Sequence, residues 1–361
     1  MPDISADRQP AAAPTSAPAL ADLTTLRVGG PASRLVTAAN EDEIIQSVRA
    51  AVADGESTLL LGGGSNVVVA DDGFDGTVIL VRSRGVRVVA GTDSRVVVQV
   101  SAGEPWDEVV AAAVESGWSG LECLSGIPGH AGATPIQNVG AYGQEVAETI
   151  TRVRVYDRLT DQVEWLPPDR CGFGYRTSVF KRSDRWAVLA VEFGLDRTPR
   201  SAPVRYPELA RALGVAQGAT VPLAEARAAV LALRAGKGMV LDPDDPDTRS
   251  VGSFFTNPIL DAAAWTALRE RAAAFGEPPA WAAGDGLVKV SAAWLIERAG
   301  FHKGYGSGKV AISSKHTLAL TTRDGGTTEA LLALAREIRA GVHARFGVTL
   351  HPEPVLVGCE L

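Results

Sequence analysis

Three short segments carry the side chains from which anion binding and proton transfer are built. Phe173-Gly174-Tyr175-Arg176-Thr177-Ser178 sets one arginine, Arg176, among aromatic and glycine residues. Gly252-Ser253-Phe254-Phe255-Thr256-Asn257-Pro258 sets a small hydroxyl, Ser253, beside two phenylalanines. His351-Pro352-Glu353-Pro354 holds a carboxylate, Glu353, between prolines near the C-terminus. An arginine offers a planar, permanently charged fork that can grip a carboxylate, and hydroxyl and carboxyl groups can move protons. Taken singly, each also reads as structure: a salt-bridge arginine, a turn-capping serine, a surface acid.

Two glycine-rich runs accompany them. Leu61-Gly62-Gly63-Gly64-Ser65-Asn66 follows a strand-like stretch; bare N–H groups there can cradle phosphate, and a tight turn is the alternative. It is not a Rossmann fingerprint, because a match starting at Gly62 would need glycine at position 67, which is Val67. The second run, Ser125 to Gly143, is too rich in glycine and proline for a regular helix and long for a loop inside a domain. Its polar members Thr134, Gln137 and Asn138 interleave with glycines, as wrapping a large planar cofactor would require, and a plain surface loop is the alternative. Gly304 to Lys309 fails the P-loop template at Lys303 and Val310 and reads as a surface turn. The histidines, His130, His302, His316, His343 and His351, show no ligand spacing, and there is no serine-hydrolase elbow. No metal site is expected.

The elements that must position these residues are legible from periodicity. Asn40 with Glu43 reads as a capping box before a helix whose apolar face is Ile44, Ile45, Val48, Ala51 and Val52, ended by Gly55. Strands are expected over 58–61, 67–70 and 77–81, a hairpin over 86–100, a helix over 105–116, and strands over 151–156, 163–166 and 187–193. Near residue 200 the texture turns helical, with helices over 207–213, 222–235, 260–275, 290–299 and 327–345 and strand-like pieces at 317–321 and 354–358. A domain boundary is placed there.

The bulk numbers bound the function. A chain of 361 residues suggests more than one core. Net charge −7 gives no general pull toward nucleic acid or anionic membrane, so an anionic ligand must be held by local donors. Cys123, Cys171 and Cys359 form no CxxC pair, which fits a reducing compartment. No apolar run spans a bilayer, and the Ala/Pro/Ser-rich start reads as a tail rather than a signal peptide. A cytoplasmic, monomeric protein with small-molecule ligands is expected.

In order, LGGGSN (61–66), SGIPG…PIQNVGAYG (125–143), FGYRTSVFK (173–181), GSFFTNP (252–258), VKVSAAWLIERAG (288–300) and LHPEP…G (350–358) resemble the MurB family of UDP-N-acetylenolpyruvoylglucosamine reductases, from about Thr24 to the C-terminus. The resemblance implies an α+β fold: a tail over 1–20, an FAD-binding PCMH-type (vanillyl-alcohol-oxidase-like) domain over 21–200 with subdomains of about 21–85 and 86–200, and a C-terminal α/β substrate domain over 201–361. Arg205-Tyr206-Pro207-Glu208-Leu209 resembles the tyrosine-bearing substrate loop of one family type, which would lay Tyr206 over the substrate's diphosphate.

The activity so implied is NADPH-dependent reduction of UDP-N-acetylglucosamine enolpyruvate to UDP-N-acetylmuramate through FAD, in peptidoglycan precursor synthesis. By motif, Arg176, Ser253 and Glu353 become the catalytic residues, with Ser253 the proton donor. Gly62, Gly63, Gly64, Ser65, Asn66, Gly126, Ile127, Gln137, Asn138, Gly140, Ala141 and Tyr142 would hold FAD, and Tyr206, Lys237 and Asn257 the substrate. Pro354 stands where many members carry valine, and the stretch from Lys237 to Val251 is longer than in some relatives. Another FAD oxidase of the same fold would explain the glycine loops but not GSFFTNP; a non-catalytic nucleotide-sugar binder would purify colourless.

Overall fold

The computed structural model describes residues 18–361. The tail expected over 1–20 lies outside the described residues through 17, and its last residues belong to the fold instead. Leu20 is fully buried, and its N–H donates to Gly30 O at 2.9 Å.

The first layer alternates strand and helix. β1 (Ala32–Ala38) leads into α1 (Glu41–Ala53), then β2 (Thr58–Leu61), β3 (Val67–Val69) and β4 (Phe74–Val81). β1, β4 and β2 form a parallel sheet in that order. α1 starts where Asn40 Oδ1 accepts from Glu43 N at 2.9 Å, and Glu43 reaches back to Ala39 N at 2.7 Å. Ile44, Ile45, Val48 and Ala51 face inward as expected, but Val52 is 55% exposed and leaves that face. β1 was not foreseen. Its burial does not alternate, and its parallel register against β4 defines it.

The second layer is antiparallel. β5 (Val86–Gly91) and β6 (Arg95–Ser101) form the expected hairpin, α2 (Trp106–Glu115) follows, and β7 (Ile150–Asp157), β8 (Gln162–Leu166) and β9 (Trp186–Arg197) complete a sheet ordered β8-β7-β9-β6-β5. Trp106 of α2 packs on Phe193 of β9, ring centroids 5.5 Å apart. α1 is sandwiched between the layers: its buried face shares a cluster with Ile79 and Val81 on one side and Tyr156, Ala187 and Leu189 on the other. The cleft between the layers is where the glycine-rich runs lie.

Beyond residue 200 the structure is mainly helical: α3 (Pro207–Leu213), α4 (Leu223–Ala235), α5 (Ala262–Ala272), α6 (Ala292–Arg298) and α7 (Thr328–Phe346), with short antiparallel pairings between them. Packing crosses the expected boundary in both directions. Val204, Leu209, Ala210 and Val230 pack on Cys123 and Tyr142 of the first half. Conversely, Leu26, Val28 and Val68 enter the large core built by α5, α6 and α7 around Phe254 and Phe255. Those two phenylalanines are 0% and 1% exposed, worth roughly 2–3 kcal/mol each in burial. Finally β10 (Val355–Val357) lies parallel to β3, with Val355 N donating to Asn66 O at 3.0 Å.

Candidate active site

The two glycine runs meet backbone to backbone. A Cβ on Gly63 would sit 2.8 Å from Gly129 Cα, and one on Gly64 2.0 Å from Leu23 O. Ser65 Oγ donates to Pro128 O at 3.0 Å, and Arg82 donates to Gly62 O at 2.9 Å. Glycine here serves the approach of protein to protein, which leaves the loops' edges bordering a cavity of about 390 Å³. Gly62, Gly63, Gly64, Ser65, Asn66, Ile127, Gln137 and Gly140 line that cavity together with Arg176, Ser253 and Glu353.

Three segments distant in sequence deliver the acid–base group. β10 docking on β3 swings Glu353 beside the first glycine run. Glu353 N donates to Phe254 O at 2.9 Å, which ties it to the residue after Ser253, and Phe255 bridges Pro352. Ser253 itself bridges Ala319. Arg176 arrives on a loop between β8 and β9 in left-handed backbone, φ 52. That conformation costs a non-glycine residue about 1 kcal/mol or more. Its Nη2 donates to Gly140 O at 2.7 Å, and Gly140 has no Cβ to block it: one would stand 3.2 Å from Arg176 Nη1. Arg176 Nε lies 3.1 Å from Glu353 Oε1, an ion pair not aligned as a hydrogen bond.

Glu353 Oε1 also accepts from Gln137 Nε2 at 3.3 Å, and Lys181 Nζ donates to Gln137 Oε1 at 3.5 Å and to Arg176 O at 2.9 Å. Burial pushes the Glu353 carboxyl above the ordinary range, against the opposing pull of Arg176 and Lys181. Burial likewise lowers the Lys181 ammonium. An arginine beside an acid held toward its neutral form is an arrangement that can receive a carboxylate and share a proton with it.

The remaining expected residues stand differently. Asn138, at φ 46, spends its side chain inside the protein. It donates to Glu145 Oε2 at 2.7 Å and Gly174 O at 3.1 Å, and accepts from Ala147 N at 3.1 Å, so it braces the Arg176 loop rather than lining the cavity. Gly126, Ala141 and Tyr142 are also off the cavity wall. Gly126 donates to Asp107, and Tyr142 meets Tyr206 edge-on at 5.5 Å. Tyr206 is the N-cap residue of α3 and 39% exposed. Lys237 pairs with Glu208 at 2.6 Å, and Asn257 Oδ1 accepts from Ala292 N at 2.9 Å at the start of α6. None of these three lines the cavity.

Sequence reading missed His130, Arg158 and Arg234 on the cavity wall. Among the described residues, the buried side-chain nitrogens that lack a protein hydrogen-bond partner are His130 Nδ1, Arg158 Nε, Arg176 Nε and Arg234 Nε, and all four residues border this one cavity. Burial lowers Arg234 to about 10 and His130 to about 4, the latter helped by Arg82 and Arg84. Arg176 Nε keeps its ion pair with Glu353; leaving the other three unpaired costs about 1–3 kcal/mol each, so the cavity suits a ligand with several anionic or acceptor groups along its length. FAD with its diphosphate, and a nucleotide-diphosphate sugar, meet that description.

Comparison with known proteins decides the family. A UDP-N-acetylenolpyruvoylglucosamine reductase of Salinispora arenicola is 66% identical over 345 residues, 95% of each chain. The chain belongs to the MurB family. A second MurB relative, from Thermobifida fusca, is 58% identical over 346 residues, 95% of this chain and 97% of its own. The family model for the C-terminal domain of UDP-N-acetylenolpyruvoylglucosamine reductase matches residues 244–357, and one for an FAD binding domain matches 32–164. A MurB crystal structure from Thermus caldophilus shares the fold at TM-score 0.64 and 24% identity, over 94% of this chain and 97% of that one. The expected fold class therefore stands, a PCMH-type FAD-binding domain followed by the MurB C-terminal domain, and with it an FAD-dependent reductase. Among the described residues no helix is long and apolar enough to cross a membrane, and no cluster suits a metal ion.

Proposed function

We propose that this chain reduces UDP-N-acetylglucosamine enolpyruvate to UDP-N-acetylmuramate with NADPH, as a cytoplasmic monomer. Residues 21–200 hold FAD and residues 201–361 cover the substrate. The observation that carries the reading is the convergence of Arg176, Glu353 and Ser253 on one cavity that is also lined by His130, Arg158 and Arg234, each with a buried nitrogen that lacks a hydrogen-bond partner.

Bound FAD supplies hydride transfer, first from NADPH and then to the β-carbon of the enolpyruvyl group. The edges of Gly62 to Asn66, with Ile127, Gln137 and Gly140, suit its diphosphate and ring through backbone donors, which need no net positive field. Asn138 and Gly126 act one step back, by shaping that wall, and Ala141 with Tyr142 carries the Tyr206 contact.

Negative charge then grows on the α-carbon and its carboxylate. Arg176, permanently cationic and fixed by Gly140 O, stands against that charge. Glu353, biased toward its neutral form, adds a proton to the same carboxylate rather than a second negative charge. The Ser253 hydroxyl delivers a proton to the α-carbon; a hydroxyl is a sufficient acid there because a carbanion-like centre is strongly basic. The buried pair Phe254 and Phe255 behind it excludes water. Tyr206, Lys237 and Asn257 serve the substrate from the rim, where Lys237 must first be shared with Glu208.

The test is anaerobic mixing of the yellow protein with NADPH, then with the enolpyruvyl sugar. Bleaching followed by recovery of flavin absorbance is the expected result. Bleaching without recovery removes the acceptor assignment, and rapid recovery in air without substrate would make the protein an oxidase.

A further inference from the structure

Lys181 lies five residues after Arg176 and has no part in the reaction as derived above. It is half-buried, and it spends its ammonium on two acceptors that both lead to Glu353. One is Arg176 O at 2.9 Å, which closes the left-handed turn that presents the guanidinium. The other is Gln137 Oε1 at 3.5 Å. An amide with its oxygen held by a cation must present its NH2 on the opposite side, and there Gln137 Nε2 meets Glu353 Oε1 at 3.3 Å. The same Oε1 is the atom 3.1 Å from Arg176 Nε. Oε1 thus faces N–H protons on both sides, from Gln137 as a hydrogen-bond donor and from Arg176 as an ion-pair partner, and a proton on Oε1 would meet both of them. The second oxygen, Oε2, takes no hydrogen bond from the described residues.

We propose that Lys181 is a positioning residue that, through Gln137 and the Arg176 turn, confines the Glu353 proton to Oε2, the oxygen left without a protein partner. The proposal rests on the reductase reading for its kinetic arm only. Without the ammonium, Gln137 can rotate its amide and offer its oxygen to Glu353. Oε1 then competes for the proton, which is shared with the Gln137 amide instead of being held at Oε2. Loss of the charge also removes one of the two cations that oppose protonation of Glu353. The groups facing this carboxyl are Arg176, Lys181 and Tyr175 from one loop and Gln137 from another, with the Phe254 carbonyl on its own N–H.

The test uses the flavin-loaded protein and the variants Lys181→Met and Lys181→Arg. In Lys181→Met, reoxidation by the enolpyruvyl sugar should fall roughly ten- to hundredfold in kcat with little change in KM. Its pH limb should move upward, and Lys181→Arg should restore most of both. Independently of turnover, the Glu353 signal in carboxyl-labelled NMR spectra, assigned with Glu353→Gln, should titrate at higher pH in Lys181→Met and near the parent's in Lys181→Arg. If Lys181→Met titrates with the parent, or if Lys181→Arg fails to restore the titration, Lys181 does not position the acid. Should the parent not turn over the sugar, the NMR arm still decides, so the two readings fail separately.

Discussion

Ser253, Arg176 and Glu353 each sit in a distinctive local setting, but singly each also reads as structure; their expected roles come from the ordered motifs and the resemblance those motifs carry. Arg158, Arg234 and His130 could not be picked out. Nothing in the sequence distinguishes an arginine that will be buried without a partner from one at a surface; the distinction is made by remote chain segments. The place of the Asn138 side chain was hidden for the mirror reason. Its polarity was visible, but its saturation by Glu145, Gly174 and Ala147 was not. Ser253→Ala should leave flavin reduction by NADPH near the parent rate and slow reoxidation by the enolpyruvyl sugar roughly a hundredfold or more, read by stopped-flow absorbance. A pH effect belongs here too. His130 and His316 are both lowered to about 4, burial being the main cause. Between pH 6.5 and 4 the unfolded chain therefore takes up protons that the folded chain refuses. Their stability contribution is full above pH 6.5 and is lost as pH falls toward 4. Melting temperature should drop across that window, and His130→Gln should make the slope shallower.

At the scale of elements, local signals were reliable wherever the element's cause is local. α1 begins at Asn40 because that side chain caps it; Asn40→Ala should cost about 1 kcal/mol in denaturant unfolding and leave turnover unchanged. β1 escaped notice because its apolar positions follow no period of two, and only its partner β4 defines it. The glycine runs were found, but one reason for them was not. Within the protein, Gly63 is glycine so that one loop can touch the other, a constraint additional to any approach of a ligand. Gly63→Ala must part the loops at Gly129. The expected outcome is protein that purifies with less than half the parent's flavin, measured as the ratio of visible to protein absorbance, while NADPH oxidation per bound flavin changes less.

For the molecule as a whole, the change of texture at residue 200 was legible, yet the cores do not respect it. Helices α3 and α4 lean on Cys123 and Tyr142, and Val68 belongs to the C-terminal core. Parallel pairing of β10 with β3 across nearly the entire chain is beyond any window of periodicity, since it is a product of global topology. Val355→Pro deletes the N–H that reaches Asn66 O and should loosen Glu353 from its partners. Slower reoxidation by the enolpyruvyl sugar, with flavin content retained, is the expected reading; equal loss of both would place β10 in cofactor retention instead.

That pairing also orders the folding. β10 reaches β3 across nearly the whole length between Val67 and Val355, while α1, the β5–β6 hairpin and α7 close within themselves. Closing so long a loop costs the most chain entropy and belongs to the late stage of folding. Glu353, two residues ahead of β10, therefore joins Arg176 and Gln137 only when the two ends of the chain meet, and a partly folded molecule can hold both glycine runs while this carboxyl is still in solvent.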